Sequence, residues 1–211
     1  MINQLNESDN KGDTSLRNAV STIVSRISDS LPDLKEPVKM FLAGDLAVNF
    51  YTGYIPTTDF TTQATFSRRL LINPNDLIVS FVGSNQLKKI VYFDANYNTN
   101  FSLIHPDFEN DSFRVLGDEF KSDKLQLHLI SPVDLVLSKL ARFKDNDREH
   151  VIAFALDKLV TTKLLNSRAN EALECHLGNT DKLLFNLKEA SKRINEAHRD
   201  KDKSVGNYNA R

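Results

Sequence analysis

The sequence predicts an α+β fold, a mixed sheet with packed helices followed by a C-terminal helical subdomain. Three observations predict it. Leu16, Val20, Ile23, Val24, Ile27 and Leu31 recur at helical spacing near the start. Short apolar or alternating runs bounded by Gly, Asn and Asp then occupy much of residues 38–130, the signature of strands. From residue 131 the pattern becomes successive helical periods separated by capping residues. The expected organisation is a tail without structure at 1–13, an α/β core at 14–130, a helical subdomain at 131–198 and a second tail at 199–211.

Each element has its own justification. The two tails are rich in Asn, Asp, Lys and Gly and cannot bury enough apolar surface to offset their ordering entropy. A helix over 15–31 is closed by Pro32, and its apolar face requires a sheet to pack on. Val38-Lys39-Met40-Phe41-Leu42-Ala43 reads as a short buried strand entering Gly44-Asp45, and Leu46 to Tyr51 suits a short helix ending near Gly53. Residues 57–66 form an amphipathic strand with Thr57, Asp59, Thr61 and Gln63 on one face. The runs 77–82 and 88–93 flank a turn-like Gly83-Ser84-Asn85-Gln86-Leu87, a hairpin whose second strand delivers Asp94 at its end. A further strand covers 125–130. Ser131-Pro132 opens a helix over 133–143, Asp145 to Asp147 start a second reaching about Val160, and Thr161 or Thr162 caps a third reaching about Leu177. Gly178-Asn179 separates a fourth over 180–198.

Composition excludes several classes. The chain has 211 residues, enough for one substantial core, with 27 basic against 28 acidic residues and a formal charge of -1. No global field holds nucleic acid or an anionic membrane, so any phosphate site is local. No apolar stretch approaches the ~20 residues of a membrane span. One cysteine, Cys175, and a start without a basic and apolar leader predict a cytoplasmic location without disulfides. The five histidines lack metal-ligand spacing, and no P-loop, Gly-x-Gly-x-x-Gly or Gly-x-Ser-x-Gly occurs. Structural zinc, P-loop hydrolysis and dinucleotide chemistry are set aside.

Three clusters carry chemistry. At Gly44-Asp45 a glycine lets the backbone approach a ligand, and the helix start offers N–H groups to phosphate; alone, such a motif is usually just a turn. Asp59 and Asp94 meet at one divalent cation if their strands are neighbours, because Mg²⁺ needs few protein carboxylates beside phosphate oxygens and water. The alternative is two strand-end aspartates bonding their own backbone. In the third cluster, Lys139 and Arg142 at i and i+3 form a phosphate-binding pair near Lys144, Asp147, Arg148 and Glu149, against the alternative of a solvated charged face. Asp134 reaches Arg142 on the same face only with an eight-residue reach or through a partner.

The order of these pieces resembles the core of the nucleotidyltransferase fold: a helix, Met40-Phe41-Leu42-Ala43-Gly44-Asp45, a short helix, Thr57-Thr58-Asp59-Phe60-Thr61, then Asp94 on a later strand. Leu77-Ile78-Val79, Val91-Tyr92-Phe93-Asp94-Ala95-Asn96-Tyr97-Asn98, Leu103-Ile104-His105-Pro106-Asp107 and the stretch 131–143, with Asp147-Arg148-Glu149, are similar to an uncharacterised bacterial nucleotidyltransferase-like family over residues 38–195. Active members of the superfamily carry a Gly-Gly or Gly-Ser turn, an Asp-x-Asp pair on the next strand and a third carboxylate, which bind two divalent ions and the triphosphate. This sequence departs from that pattern. Asp45 follows Gly44, and the pair becomes Asp59-Phe60-Thr61; in the register set by Ala64-x-Phe66-Ser67-x-Arg69 it falls on Thr61 and Gln63.

The resemblance implies Asp59 and Asp94 as catalytic and metal-binding residues for Mg²⁺ or Mn²⁺. It places Gly44, Asp45 and Thr61 beside the nucleotide and Lys139 and Arg142 toward its phosphates. A nucleoside triphosphate is the implied substrate and RNA or protein the acceptor, in the manner of toxins paired with an antitoxin protein. The degenerate Asp-x-Asp implies weak or lost transfer, and the alternative is a non-catalytic nucleotide- or partner-binding module of the same fold.

Overall fold

A computed structural model of the chain describes residues 4–5, 11, 13–54, 61–66, 73–83, 86–94 and 103–208. The chain divides into two compact units, one formed by Met1–Asn98 and Glu109–Ser131, the other by Thr99–Phe108 and Pro132–Arg211.

In the first unit, β1 (Gln4–Leu5) precedes α1 (Thr14–Ser30), which follows the expected helical period. Asp13 caps it, accepting from the Ser15 and Leu16 N–H groups at 2.8 and 3.4 Å. Leu16, Val20, Ile23, Val24 and Ile27 are buried, facing the sheet. β2 (Val38–Ala43) enters α2 (Gly44–Thr52), which ends on left-handed Gly53. Then come β3 (Thr61–Phe66), β4 (Ile78–Val82), β5 (Lys88–Asp94), β6 (Phe113–Val115) and β7 (Leu125–Leu129). They form one seven-stranded sheet in the order β1-β6-β7-β2-β3-β5-β4. The sheet is mixed, as expected: β1–β6, β2–β7 and β3–β5 are parallel, β2–β3, β4–β5 and β6–β7 antiparallel. Arg17 of α1 pairs with Glu119, donates to the Leu116 carbonyl at 3.0 Å and lies over the Phe120 ring, joining the helix to the segment before β7.

Two elements here lie outside the expectation. Gln4–Leu5, within the stretch expected to lack structure, adds a parallel edge strand to β6, and β6 itself lies where the sequence announces no strand. Each is two or three residues long, too short to leave a periodic signal. The expected strand over 57–66 is described from Thr61 onward; Asp59 lies outside the described residues.

The second unit holds α3 (Pro132–Lys139), α4 (Asp145–Leu156), α5 (Thr162–Glu174) and α6 (Asp181–Tyr208). α4 packs on α6, α3 on α5 and α4, and α5 on α6. Leu135, Val136, Leu140 and Phe143 are buried, as the helical spacing over 133–143 requires. The helix nevertheless stops at Lys139. Phe143 takes a left-handed φ of 49°, its N–H reaching the Lys139 carbonyl at 2.8 Å, and Asn186 Nδ2 donates to the Leu140 carbonyl at 2.6 Å. α4 ends at Leu156, short of Val160, for a similar reason. Lys158 has φ 58°, and the Leu159 N–H reaches back to the Phe154 carbonyl, a Schellman-type ending with lysine where glycine is usual. α5 ends at Glu174 before Leu177, and α6 continues past His198 to Tyr208. The 103–108 segment is fastened to α5: His105 Nδ1 accepts from the Asp107 N–H at 3.1 Å, and Nε2 meets Glu171 Oε2 at 3.2 Å.

Candidate functional site

The site grows from the junction of β2 and α2. Met40 to Ala43 are fully or nearly fully buried, so the strand is fixed on both faces up to its last residue. Ala43 is extended and Gly44 follows with φ +73°, a left-handed conformation that glycine adopts without steric cost. The chain thereby turns from strand to helix in one step, and Leu46 to Tyr51 are buried behind the turn. Gly44 and Asp45 are half-buried. Asp45 lies in the first turn of α2, where the helix dipole favours negative charge.

Sheet register relates Asp94 to this turn. Ala43 is paired with Thr65 of β3, and Thr65 is paired in turn with Asp94 of β5. With strands ~4.8 Å apart, Ala43 and Asp94 are separated by ~10 Å across β3. Gly44 and Asp94 therefore occupy the same end of adjacent structure within one unit. Along β3, Gln63 and Thr61 occupy the alternate positions before Thr65, paired with Tyr92 and Ile90.

Lys139 and Arg142 belong to the helical unit, where both are engaged with Asp147. Arg142 Nε and Nη2 donate to the two Asp147 oxygens at 3.0 and 2.8 Å, and Lys139 Nζ lies 3.6 Å away. The Lys144 N–H, at the start of α4, donates to the same carboxylate at 2.9 Å. Burial by itself pushes the Asp147 carboxyl up. The Arg142 hydrogen bonds, the Lys139 charge and the Lys144 N–H outweigh it and hold the group below the usual carboxylate range. Asp134 finds its partner in Arg168 of α5, which donates from Nε and Nη2 at 2.8 Å each.

Two residues escape sequence reasoning: Arg168 lies 34 positions from Asp134, and His128 of β7 carries no motif. Asp147 is named within the charged cluster, but its full burial is not legible there. His128 sits against the Phe41 ring, with Nδ1 3.1 Å from Ser112 Oγ and, among the described residues, no partner for Nε2. Burial, then the charges of Lys39 and Arg114, lower its pKa to about 4.

Among the described residues, no group of three or more His, Cys, Asp or Glu side chains could hold a metal ion. Along the register the residue types are one acid, Asp94, and neutral Thr65, Gln63 and Thr61 on the neighbouring strand.

A family described as nucleotidyltransferase of unknown function (DUF6036) matches residues 84–199, more than half of the chain. The chain belongs to this nucleotidyltransferase family. The matched span holds Asp94, Lys139, Arg142 and Asp147, while Gly44, Asp45, Asp59 and Thr61 precede it. Neither the curated proteins nor the solved structures provide a match. Among the described residues of this nucleotidyltransferase-family chain, no helix is long and apolar enough to cross a membrane.

Proposed function

We propose that the chain is a nucleotidyltransferase-fold protein that binds a nucleoside triphosphate with Mg²⁺ or Mn²⁺ at the Gly44 turn and transfers its nucleotidyl group weakly or not at all. The register Ala43–Thr65–Asp94 carries this reading, because it aligns the strand-to-helix turn with the carboxylate at the end of β5. Gly44 presents main chain without a side chain to the phosphates, and Asp94 with Asp59 would hold the cation. When bound, that cation would neutralise charge developing on the phosphates and leaving pyrophosphate. An acceptor hydroxyl on RNA or protein needs a carboxylate nearby to take its proton, and Asp59 and Asp94 are the candidates.

Two features weaken that chemistry. If the Asp-x-Asp pair is Asp59-Phe60-Thr61, its second member is Thr61; if it falls on Thr61 and Gln63, both carboxylates are replaced. Asp45 meanwhile offers its negative charge to the positive end of α2 that a phosphate would use, and repulsion in a partly desolvated site is weakly screened. These departures support a second reading of the same site, nucleotide binding without transfer.

Calorimetry with Mg²⁺ and each nucleoside triphosphate tests the proposal. The unmodified chain should bind weakly, Thr61→Asp with Asp45→Gly should tighten metal-dependent binding, and Asp94→Ala in that background should abolish the gain. Labelled nucleotide, total RNA and protein acceptors then separate transfer from binding. Robust label transfer by the unmodified chain, indifferent to Asp59→Ala and Asp94→Ala, would sink the site assignment.

A further inference from the structure

At the far edge of the sheet, β4 bonds to β5 alone among the described residues. Its hydrogen-bond phase is fixed by the turn, where the Gly83 N–H donates to the Leu87 carbonyl at 3.0 Å. In an antiparallel pair this phase alternates, so Val79 and Phe81 exchange bonds with β5 while Ile78, Ser80 and Val82 turn their main-chain groups outward. Arg26 confirms the direction: its Nη1 donates to the Ile78 carbonyl at 3.1 Å from outside the sheet. The outward N–H and C=O of Ser80 and Val82 have no partner among the described residues.

Beyond the Arg26 contact at Ile78, this edge lacks the usual protection. Ile78-Val79-Ser80-Phe81-Val82 contains no charge and no proline, the devices that keep natural edges from pairing. The face above it is apolar as well, with Ile78 45%, Val82 53%, Ile90 38% and Tyr92 36% exposed. Among the described residues a nucleic acid would find few cations there, Lys88 on the face and Arg26 at the Ile78 end, and little to hold its phosphates.

We propose that two copies of this chain pair through β4, antiparallel about a two-fold axis at Ser80. That register aligns all five residues of both strands, setting Ser80 opposite its copy and Ile78 opposite Val82 on either side. The outward phase matches at each of these positions, so the two Ser80 residues exchange main-chain bonds, and Ile78 and Val82 do so once the exposed Arg26 side chain releases the Ile78 carbonyl. Apolar side chains meet apolar ones, no like charges oppose each other, and the apolar face continues across the axis. The edge is self-complementary, as an isologous two-fold contact must be.

Light scattering on the full chain across a wide concentration range tests this. The mass should be that of two chains when concentrated and fall to one on dilution. Val82→Lys, which sets a lysine near Arg26 of the second copy, and Ser80→Pro, which removes one outward N–H, should each give one-chain mass with unchanged circular dichroism. A register test needs no disruption. In a Cys175→Ser background, Ser80→Cys should cross-link two copies on oxidation. Val82→Cys should not, because positions 82 would lie ~13 Å apart along the strands. One-chain mass at every concentration would overturn the proposal and leave the edge to a strand from another protein. So would a dimer that folded Val82→Lys and Ser80→Pro variants leave intact, or equal cross-linking at both positions.

Discussion

Replacing Asp147 by alanine tests whether the cationic pair of the helical unit serves a buried carboxylate. Asp147 has no exposed surface, whereas the Arg142 side chain is 58% exposed and that of Lys139 only 6%. Deleting the carboxylate returns Arg142 largely to water, but leaves Lys139 in place without that counter-charge. Removing one member of a buried pair costs about 3–5 kcal/mol, and Arg142 hydration argues for the lower end, about 3 kcal/mol. Arg142→Ala should cost less, about 1–2 kcal/mol after allowing for its solvent screening, because Lys139 and the Lys144 N–H still hold the carboxylate. Asp147→Asn should fall between, since an amide oxygen still accepts from Lys144 but carries no charge. Urea unfolding of the full chain gives these differences as midpoint shifts at constant slope. Because the Asp147 pKa is lowered on folding, its contribution is complete above the unfolded carboxylate pKa of about 3.9 and disappears as pH falls through the folded value. A loss below about 1 kcal/mol for Asp147→Ala, or equal losses for Asp147→Ala and Arg142→Ala, would refute this account.

Three further predictions rest on local geometry. His128 binds a proton more readily unfolded, near pH 6.5, than folded, near 4, so stability should fall by about 2 kcal/mol between pH 7 and pH 5; His128→Phe should flatten that dependence in urea titrations at the two pH values. Arg168→Lys loses the two-pronged bond to buried Asp134 and should cost about 1–2 kcal/mol, and Arg168→Ala about 3, measured by the same midpoint shifts. Phe143→Gly relieves about 1 kcal/mol of left-handed strain but vacates a buried ring site worth about 3, so it should destabilise, and less than Phe143→Ala does. Thermal midpoints of the two variants decide their order.

Much of the fold is legible in the sequence because its larger elements are strongly periodic. Leu16, Val20, Ile23, Val24 and Ile27 announce α1, and the apolar runs around Gly83 announce the β4–β5 hairpin. Helix ends are less legible: Phe143 and Lys158 adopt left-handed conformations that glycine would have advertised. At the candidate site, the Gly44 turn and Asp94 emerge from the order of elements. The register of β3 does not, since Thr61-Thr62-Gln63-Ala64-Thr65 offers small and polar residues to both faces and so no alternation to fix it. Asp147 looks like any helical surface acid until Arg142 turns back on it, and Asp134 meets Arg168 only through tertiary packing.

The chain visits its two units alternately, and this makes them inseparable by a single cut. A fragment beginning at Pro132 contains α3 to α6 of the second unit but lacks the strap at His105, so Glu171 of α5 keeps Ser167 and loses its imidazole partner. A fragment ending at Asn98 keeps β2 but not β7, its parallel neighbour in the middle of the sheet. During synthesis β2 must therefore wait, one side unpaired, while the chain supplies the strap to the other unit and returns with β6 and β7. The sheet is sealed from its centre, and late, which concentrates the exposed strand edges of an emerging chain on Val38–Ala43.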